Sequence, residues 1–233
     1  MNHTKVHRRQ SIPLVVLILS ALLGVVLLSR IAPAQADTTP AGRHGHPTTV
    51  APRTAAQNAL HDQMRKLWED HITWTRLAIV AFAVGSPGFD PTAGRLLQNQ
   101  ADIGDSIKPF YGPAAGNRLT FLLHGHITIA VEILQAAKAG DTTAFNAANT
   151  RWYANGNDIA DLLAAANPRS WPVAVIRADM KEHLDQTRGE AAHELHGQYA
   201  NSVTDYEAIH AHILIMADQL SAGIIAQFPS RFR

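Results

Sequence analysis

From Ala55 to Gln227, apolar residues recur every three or four positions, and the recurrence is interrupted only where Gly, Pro or a short polar turn intervenes. That spacing matches the 3.6-residue turn of helices that each bury one stripe. No stretch alternates with period two for long enough to build a sheet. The interruptions divide the chain into six helical stretches, about 55–84, 92–110, 114–139, 142–166, 172–197 and 201–227. Gly85-Ser86-Pro87-Gly88 ends the first and Tyr111-Gly112-Pro113 the second. Asp141 is placed to cap the fourth, and Asn167-Pro168 stops it. Short links between long helices favour antiparallel neighbours. The expected fold is all-α, an up-and-down antiparallel bundle of about six helices in a single domain.

The N-terminus belongs to a different regime. His7, Arg8 and Arg9 precede an apolar run from Ile12 to Leu28, and Ala34-Gln35-Ala36 follows as a small-x-small cleavage site. This is the layout of a secretory signal peptide over 1–36, with cleavage after Ala36 and an N-terminal membrane anchor as the alternative. Asp37–Thr54, rich in Thr, Pro, Gly and Ala, reads as a flexible linker ahead of a bundle domain over 55–233. The expectation is therefore a secreted or extracytoplasmic protein that meets the membrane only transiently, through its signal segment. Cleavage removes Lys5, Arg8, Arg9 and Arg30, so the net charge of +1 becomes −3. With no Lys/Arg-rich run elsewhere, no nucleic-acid partner is expected. The chain has no cysteine, so disulfides, thiolate metal sites and thiol catalysis are excluded.

One segment is written twice. His124-Gly-His126-Ile-Thr-Ile-Ala-Val-Glu-Ile-Leu134 and His210-Ala-His212-Ile-Leu-Ile-Met-Ala-Asp-Gln-Leu220 share the pattern His-x-His-Ile-x-Ile-x-x-acid-x-Leu. Other echoes follow. Asn99 and Asp102 resemble Asn155 and Asp158, while Asp70-His71 with Thr75-Arg76 resembles Glu182-His183 with Thr187-Arg188. The helices thus match first with fifth, second with fourth, and third with sixth. Duplication and the shared constraints of bundle helices both account for this.

Residues two apart on a helix point nearly opposite ways, so each His-x-His has one inner and one wetter ring. His126 shares a stripe with Leu122, Ile129 and Ile133, and His212 shares one with Ile209, Ile215 and Met216; both are expected to be buried. His124 and His210 are the wetter pair. His71 falls between Trp68 and Trp74, and His183 among Ile176, Met180, Thr187 and Glu190. Every helix then carries a ligand-capable residue near its midpoint, which predicts one polar layer across an apolar core. A buried polar group without a partner costs a few kcal/mol, so the layer must bond internally, to a metal or to a ligand. The metal reading takes His71, His126, His183 and His212 as ligands to Zn, Cu or Fe, backed by Asn99, Asp102, Asn155 and Asp158. A secondary set is Glu190, His193, Glu207 and His210, two Glu-x-x-His pairs with the spacing of di-iron bundles. These pairs fall near the 172–197/201–227 turn rather than at mid-bundle.

No nucleophile elbow, phosphate-binding Gly loop or dinucleotide fingerprint is present. His193-Glu-Leu-His196 is one residue short of the zinc-protease motif. Several stretches do resemble a known family: Leu67-Trp-Glu-Asp-His-Ile-Thr-Trp-Thr-Arg76, Arg95-Leu-Leu-Gln-Asn-Gln-Ala-Asp-Ile-Gly104, Lys108-Pro-Phe-Tyr-Gly112, Trp152-Tyr-Ala-Asn155, His183-Leu-Asp-Gln-Thr187, and His212-Ile-Leu-Ile-Met-Ala-Asp218 with Gln227-Phe-Pro229. They are similar to a family of exported, essentially uncharacterised bacterial all-helical proteins. Some members carry the labels glycosyltransferase or acetylglutamate kinase. Neither label fits a chain without an α/β phosphate-binding core, and the resemblance carries over no site residue. Three readings result: a binding protein with a His/Asn/Asp centre that holds a transition metal or other ligand, a metal-free envelope or extracellular interaction module, and a transferase-type enzyme. Whether the partner is a protein or a small molecule stays open, as does whether the chain is an enzyme.

Overall fold

The computed structural model describes residues 54–233. The signal segment expected over 1–36 and all of the expected linker except Thr54 lie outside the described residues. Five helices follow in order: α1 Ala55–Ala83, α2 Phe89–Ala139, α3 Thr142–Ala166, α4 Val173–Leu195 and α5 Tyr199–Gln227, then a short 3₁₀ turn over Pro229–Phe232. No strand occurs among the described residues, which form an all-helical domain.

The helix count is five rather than six because the expected stop at Tyr111-Gly112-Pro113 is a bend within α2. Gly112 takes φ 82°, ψ 165°, a conformation open essentially only to glycine. The arms on either side fold against each other. A Cβ on Gly104 would stand 2.7 Å from the Gly116 carbonyl oxygen, so the backbones meet with no room for a side chain. The six expected helical stretches therefore survive as six rods, two of them in one helix.

Local chemistry sets the ends. Thr54 and Gln57 form a reciprocal capping box at the start of α1. The Asp141 side chain accepts the Ala144 amide to start α3, as its position implied. Gly140 and Gly197 turn the chain with φ of 70°.

The rods close into a ring. α1 meets the first arm of α2 through Asn99, the second arm meets α3 through Asn155, and α4 meets α5 through His212. Arg177 on α4 pairs with Asp161 on α3. Arg65 on α1 pairs with Asp218 on α5, which closes the circuit. Met64, Trp68, Ile103, Leu119, Ile159, Leu184, Ile213 and Ile224 fill the interior. The Thr54 hydroxyl donates to the Phe232 carbonyl at 2.8 Å, joining the two ends of the bundle. By length and composition α2 and α5 are each apolar enough to cross a bilayer, and both place core residues such as Leu122 and Ile213 against other helices.

Candidate functional site: a histidine layer under an apolar chamber

His71, His126 and His183 are each only 3% exposed. They come from α1, the second arm of α2, and α4, which are alternate rods of the ring. The His71 and His183 ring centres are 5.6 Å apart, and those of His126 and His183 are 6.3 Å apart. Two indoles wall the group: Trp68 meets His71 edge-on at 5.9 Å, and Trp152 stacks on His126 at 5.0 Å. The expected polar layer exists, and three of its four inner histidines make it.

The intervening rods supply one recurring bond. The Asn99 amide donates to Leu67 O, the Asn155 amide to Leu122 O, and His212 Nε2 to Asp179 O, each at 3.0 Å. Leu67, Leu122 and Asp179 each stand four residues before an inner histidine. The Asn99/Asn155 echo thus has a physical cause, an amide that clamps the turn presenting a buried ring. The structure also reorders the pairing expected from the sequence. The matching units are three successive hairpins, in which His71 goes with Asn99, His126 with Asn155, and His183 with His212.

The third hairpin departs from the pattern. Gln100 Nε2 sits 3.1 Å from His71 Nδ1, and Asn155 Oδ1 sits 3.1 Å from His126 Nδ1. His183 Nδ1 has no partner among the described residues: His212 stands where Asn155 serves the His126 ring but spends its Nε2 on Asp179 O, and Ile213 stands where Gln100 serves the His71 ring. One turn further, the Thr75 hydroxyl donates to His71 O at 2.7 Å. Its counterpart Thr187 Oγ1 is buried without a partner.

Burial keeps all three rings neutral. Desolvation pushes His71 down to about 3 and His126 down to about 4, the latter partly held up by Asn155. His183 falls well below the usual imidazole range through desolvation, with His71, His126 and His212 adding to the effect.

Directly on this layer sits an apolar chamber of about 100 Å³. Thr75, Ala130 and Thr187, each one turn beyond an inner histidine, line its floor beside Trp152. Buried Leu96, Ile127, Ile133 and Leu134 form its walls, and exposed Ala137 and Ala192 mark the end where it opens. The space exists because Ala78, Ala93, Ala130 and Ala191 stand where larger side chains would close it. Arg188, the one charged lining residue, is directed to Asp185 at 3.6 Å and lies over the Tyr153 ring.

The remaining expected site residues lie elsewhere. His212 is only partly buried, and its Nε2 is spent on Asp179 O, because the buried stripe of α5 runs through Ile209, Ile213, Met216 and Leu220. Ile215, expected to be buried beside it, is 64% exposed. Asp158 is exposed, and Asp102 faces Arg95 and Gln98 at the surface; neither backs an inner ring. A hollow between α1 and the first arm of α2 holds Asp102 and Asp105 with no histidine among its lining residues. The two Glu-x-x-His pairs do not converge. His193 meets Asp205, His210 meets Glu69, and Glu207 is exposed.

Glu190 belongs to a buried network that the sequence pattern does not reveal. Arg76 Nη1 donates to Glu190 Oε1 at 2.6 Å and to Ser202 Oγ at 2.9 Å, and Ser202 donates to Glu194 at 2.7 Å. Burial raises Glu190 to about 7, against the pull of Arg76. The Thr75-Arg76/Thr187-Arg188 echo marks Thr187 in advance, but it hides the divergence of the two arginines, one turned into this network and one to the surface. Among the described residues, no group of three or more His, Asp or Glu side chains is arranged to hold a metal ion. No family model, curated protein or solved structure matches the chain.

Proposed function

We propose that the chain is an exported binding protein that captures a small, uncharged, largely apolar molecule in the chamber seated on its histidine layer. The observation that carries this reading is the coincidence of two features: a roomy apolar cavity, and a floor one turn above three neutral imidazoles where His183 Nδ1 and Thr187 Oγ1 lack partners. Well-packed interiors leave few voids larger than a water molecule, and apolar pockets with a few polar groups are the usual form of small-molecule sites. Export is supported by the basic, apolar and Ala-x-Ala sequence of the first 36 residues. Fluorobenzene is a suitable probe. Its ¹⁹F resonance is expected to shift with added wild-type protein and to stay at its free position with Ala130→Leu, which fills the floor. No shift with the wild type would remove the reading.

A transition metal at His71, His126 and His183 is the second reading. It is favoured by three adjacent neutral rings, the form in which imidazole ligates, and by Asn155 Oδ1, which accepts the His126 Nδ1 proton and leaves Nε2 of that ring free to ligate. Untagged protein exposed to Zn²⁺, Cu²⁺ or Fe²⁺ and then desalted should retain one equivalent of metal, lost in His183→Ala. Metal-free protein after every exposure rejects it.

A further inference from the structure

Resting on the chamber reading, we infer that the bound molecule carries a single hydroxyl, which bridges His183 and Thr187 while its apolar body fills the chamber. The argument starts from the broken repetition. In the first hairpin both positions are satisfied: His71 Nδ1 has Gln100, and the Thr75 hydroxyl has His71 O. In the third hairpin the equivalent atoms, His183 Nδ1 and Thr187 Oγ1, both lack partners and both are buried. Two orphaned polar atoms one turn apart on one helix, the outer of them lining the chamber, are better explained by a shared external partner than by two independent defects.

Geometry limits that partner. Side chains at i and i+4 stand about 5–6 Å apart on a helix face, and an O–H hydrogen bond spans about 2.7–2.8 Å. One small polar group therefore fits between the two positions. A hydroxyl suits it best, because it both donates and accepts. It donates to an unprotonated imidazole nitrogen and accepts the threonine proton, or the reverse if the ring tautomer is exchanged. Thr187 lines the chamber, and threonine in a helix divides between two rotamers, so a χ1 turn presents its oxygen to a guest.

Charge excludes other heads. A carboxylate or ammonium here would be desolvated with no countercharge, since the three rings are neutral and Arg188 is engaged by Asp185. Size limits the body. An apolar cavity of about 150 Å³ accepts the six heavy atoms of benzene, so about 100 Å³ encloses about four, and a six-membered ring fits with its far edge in the open end. The class is small alcohols and phenols.

The test compares phenol, its near-isostere fluorobenzene, and benzoate on the full chain, with dissociation constants from ligand-observed NMR or calorimetry. Wild type is expected to bind phenol about tenfold tighter than fluorobenzene, as one or two net hydrogen bonds allow, and to bind benzoate at least tenfold more weakly than phenol. Thr187→Val keeps the shape and should cut the phenol-to-fluorobenzene affinity ratio from about tenfold to about threefold or less. Fluorobenzene bound as tightly as phenol by the wild type would overturn the hydroxyl inference and leave the chamber standing. So would an unchanged ratio in Thr187→Val, or benzoate equal to phenol. Failure of both neutral probes to bind would instead remove the chamber reading beneath it.

Discussion

His126→Gln should destabilise the bundle at neutral pH and do so much less in mild acid. His126 is buried, stacks on Trp152 at 5.0 Å and is held neutral, with its protonation pushed down to about 4. In the unfolded chain the same ring protonates near 6.5. Because the folded value is depressed, the ring's contribution to stability is fully present above 6.5 and is lost as pH falls toward 4. At pH 5.0 the folded ring is still largely neutral while the unfolded one is charged. The loss relative to pH 7.5 is then about 1.5 pH units at 1.36 kcal/mol each, or about 2 kcal/mol. Glutamine keeps an amide for Asn155 but has nothing to titrate, so it escapes this penalty. Its own cost, from lost stacking and packing, should be about 2–3 kcal/mol at pH 7.5. Urea unfolding of both proteins at pH 7.5 and 5.0 measures the gap. It should shrink by about 2 kcal/mol in acid. The difference between proteins is the quantity to follow, because His71 and His183 act in the same direction in both, while Glu190 acts oppositely. Its raised value of about 7 means stability gained as pH falls through 7 toward 4.5. A gap that is the same at both pH values would show that the ring is not held neutral, and the account of the layer would fail.

Arg76→Ala leaves the Glu190 carboxylate buried without its cation, so chemical denaturation at pH 8 should show a loss of about 3–5 kcal/mol, smaller at pH 5.5 where Glu190 is protonated. Gly112→Ala forces a side chain into a conformation reserved for glycine; thermal unfolding should register a loss of about 1–3 kcal/mol. In ligand-free protein, Thr187→Val should raise stability by about 1 kcal/mol, since it removes a buried hydroxyl without a partner, and a lowered melting temperature would mean that the hydroxyl is bonded after all.

The rods were legible because helical periodicity is a local signal. The Gly112-Pro113 pair also marked its place correctly, although it bends α2 rather than ending it. The level of His71, His126 and His183 was legible too, since mid-helix residues in antiparallel rods meet at one height. Rotation about each rod was less so. A stripe drawn through His212 and Ile215 is displaced by one residue step, about 100°, from the stripe through Ile213 and Met216 that the core selects. That rotation separates a core ligand from a flank residue. The chamber was not legible, because a void is set by what neighbouring rods fail to fill, and no single helix records the gap left jointly by Ala93, Ala130 and Ala191. The Arg76–Glu190–Ser202 network was hidden for the same reason, since its members are up to 126 positions apart.

The bond between Thr54 and Phe232 means that the circuit of rods has neither a loose beginning nor a loose end. Opening the first turn of α1 or the last turn of the bundle breaks this bond, so the two are coupled by about 1 kcal/mol. The chain could equally be sewn shut at that seam and opened at Gly85 or Gly197, and the same barrel of helices should assemble in a new order.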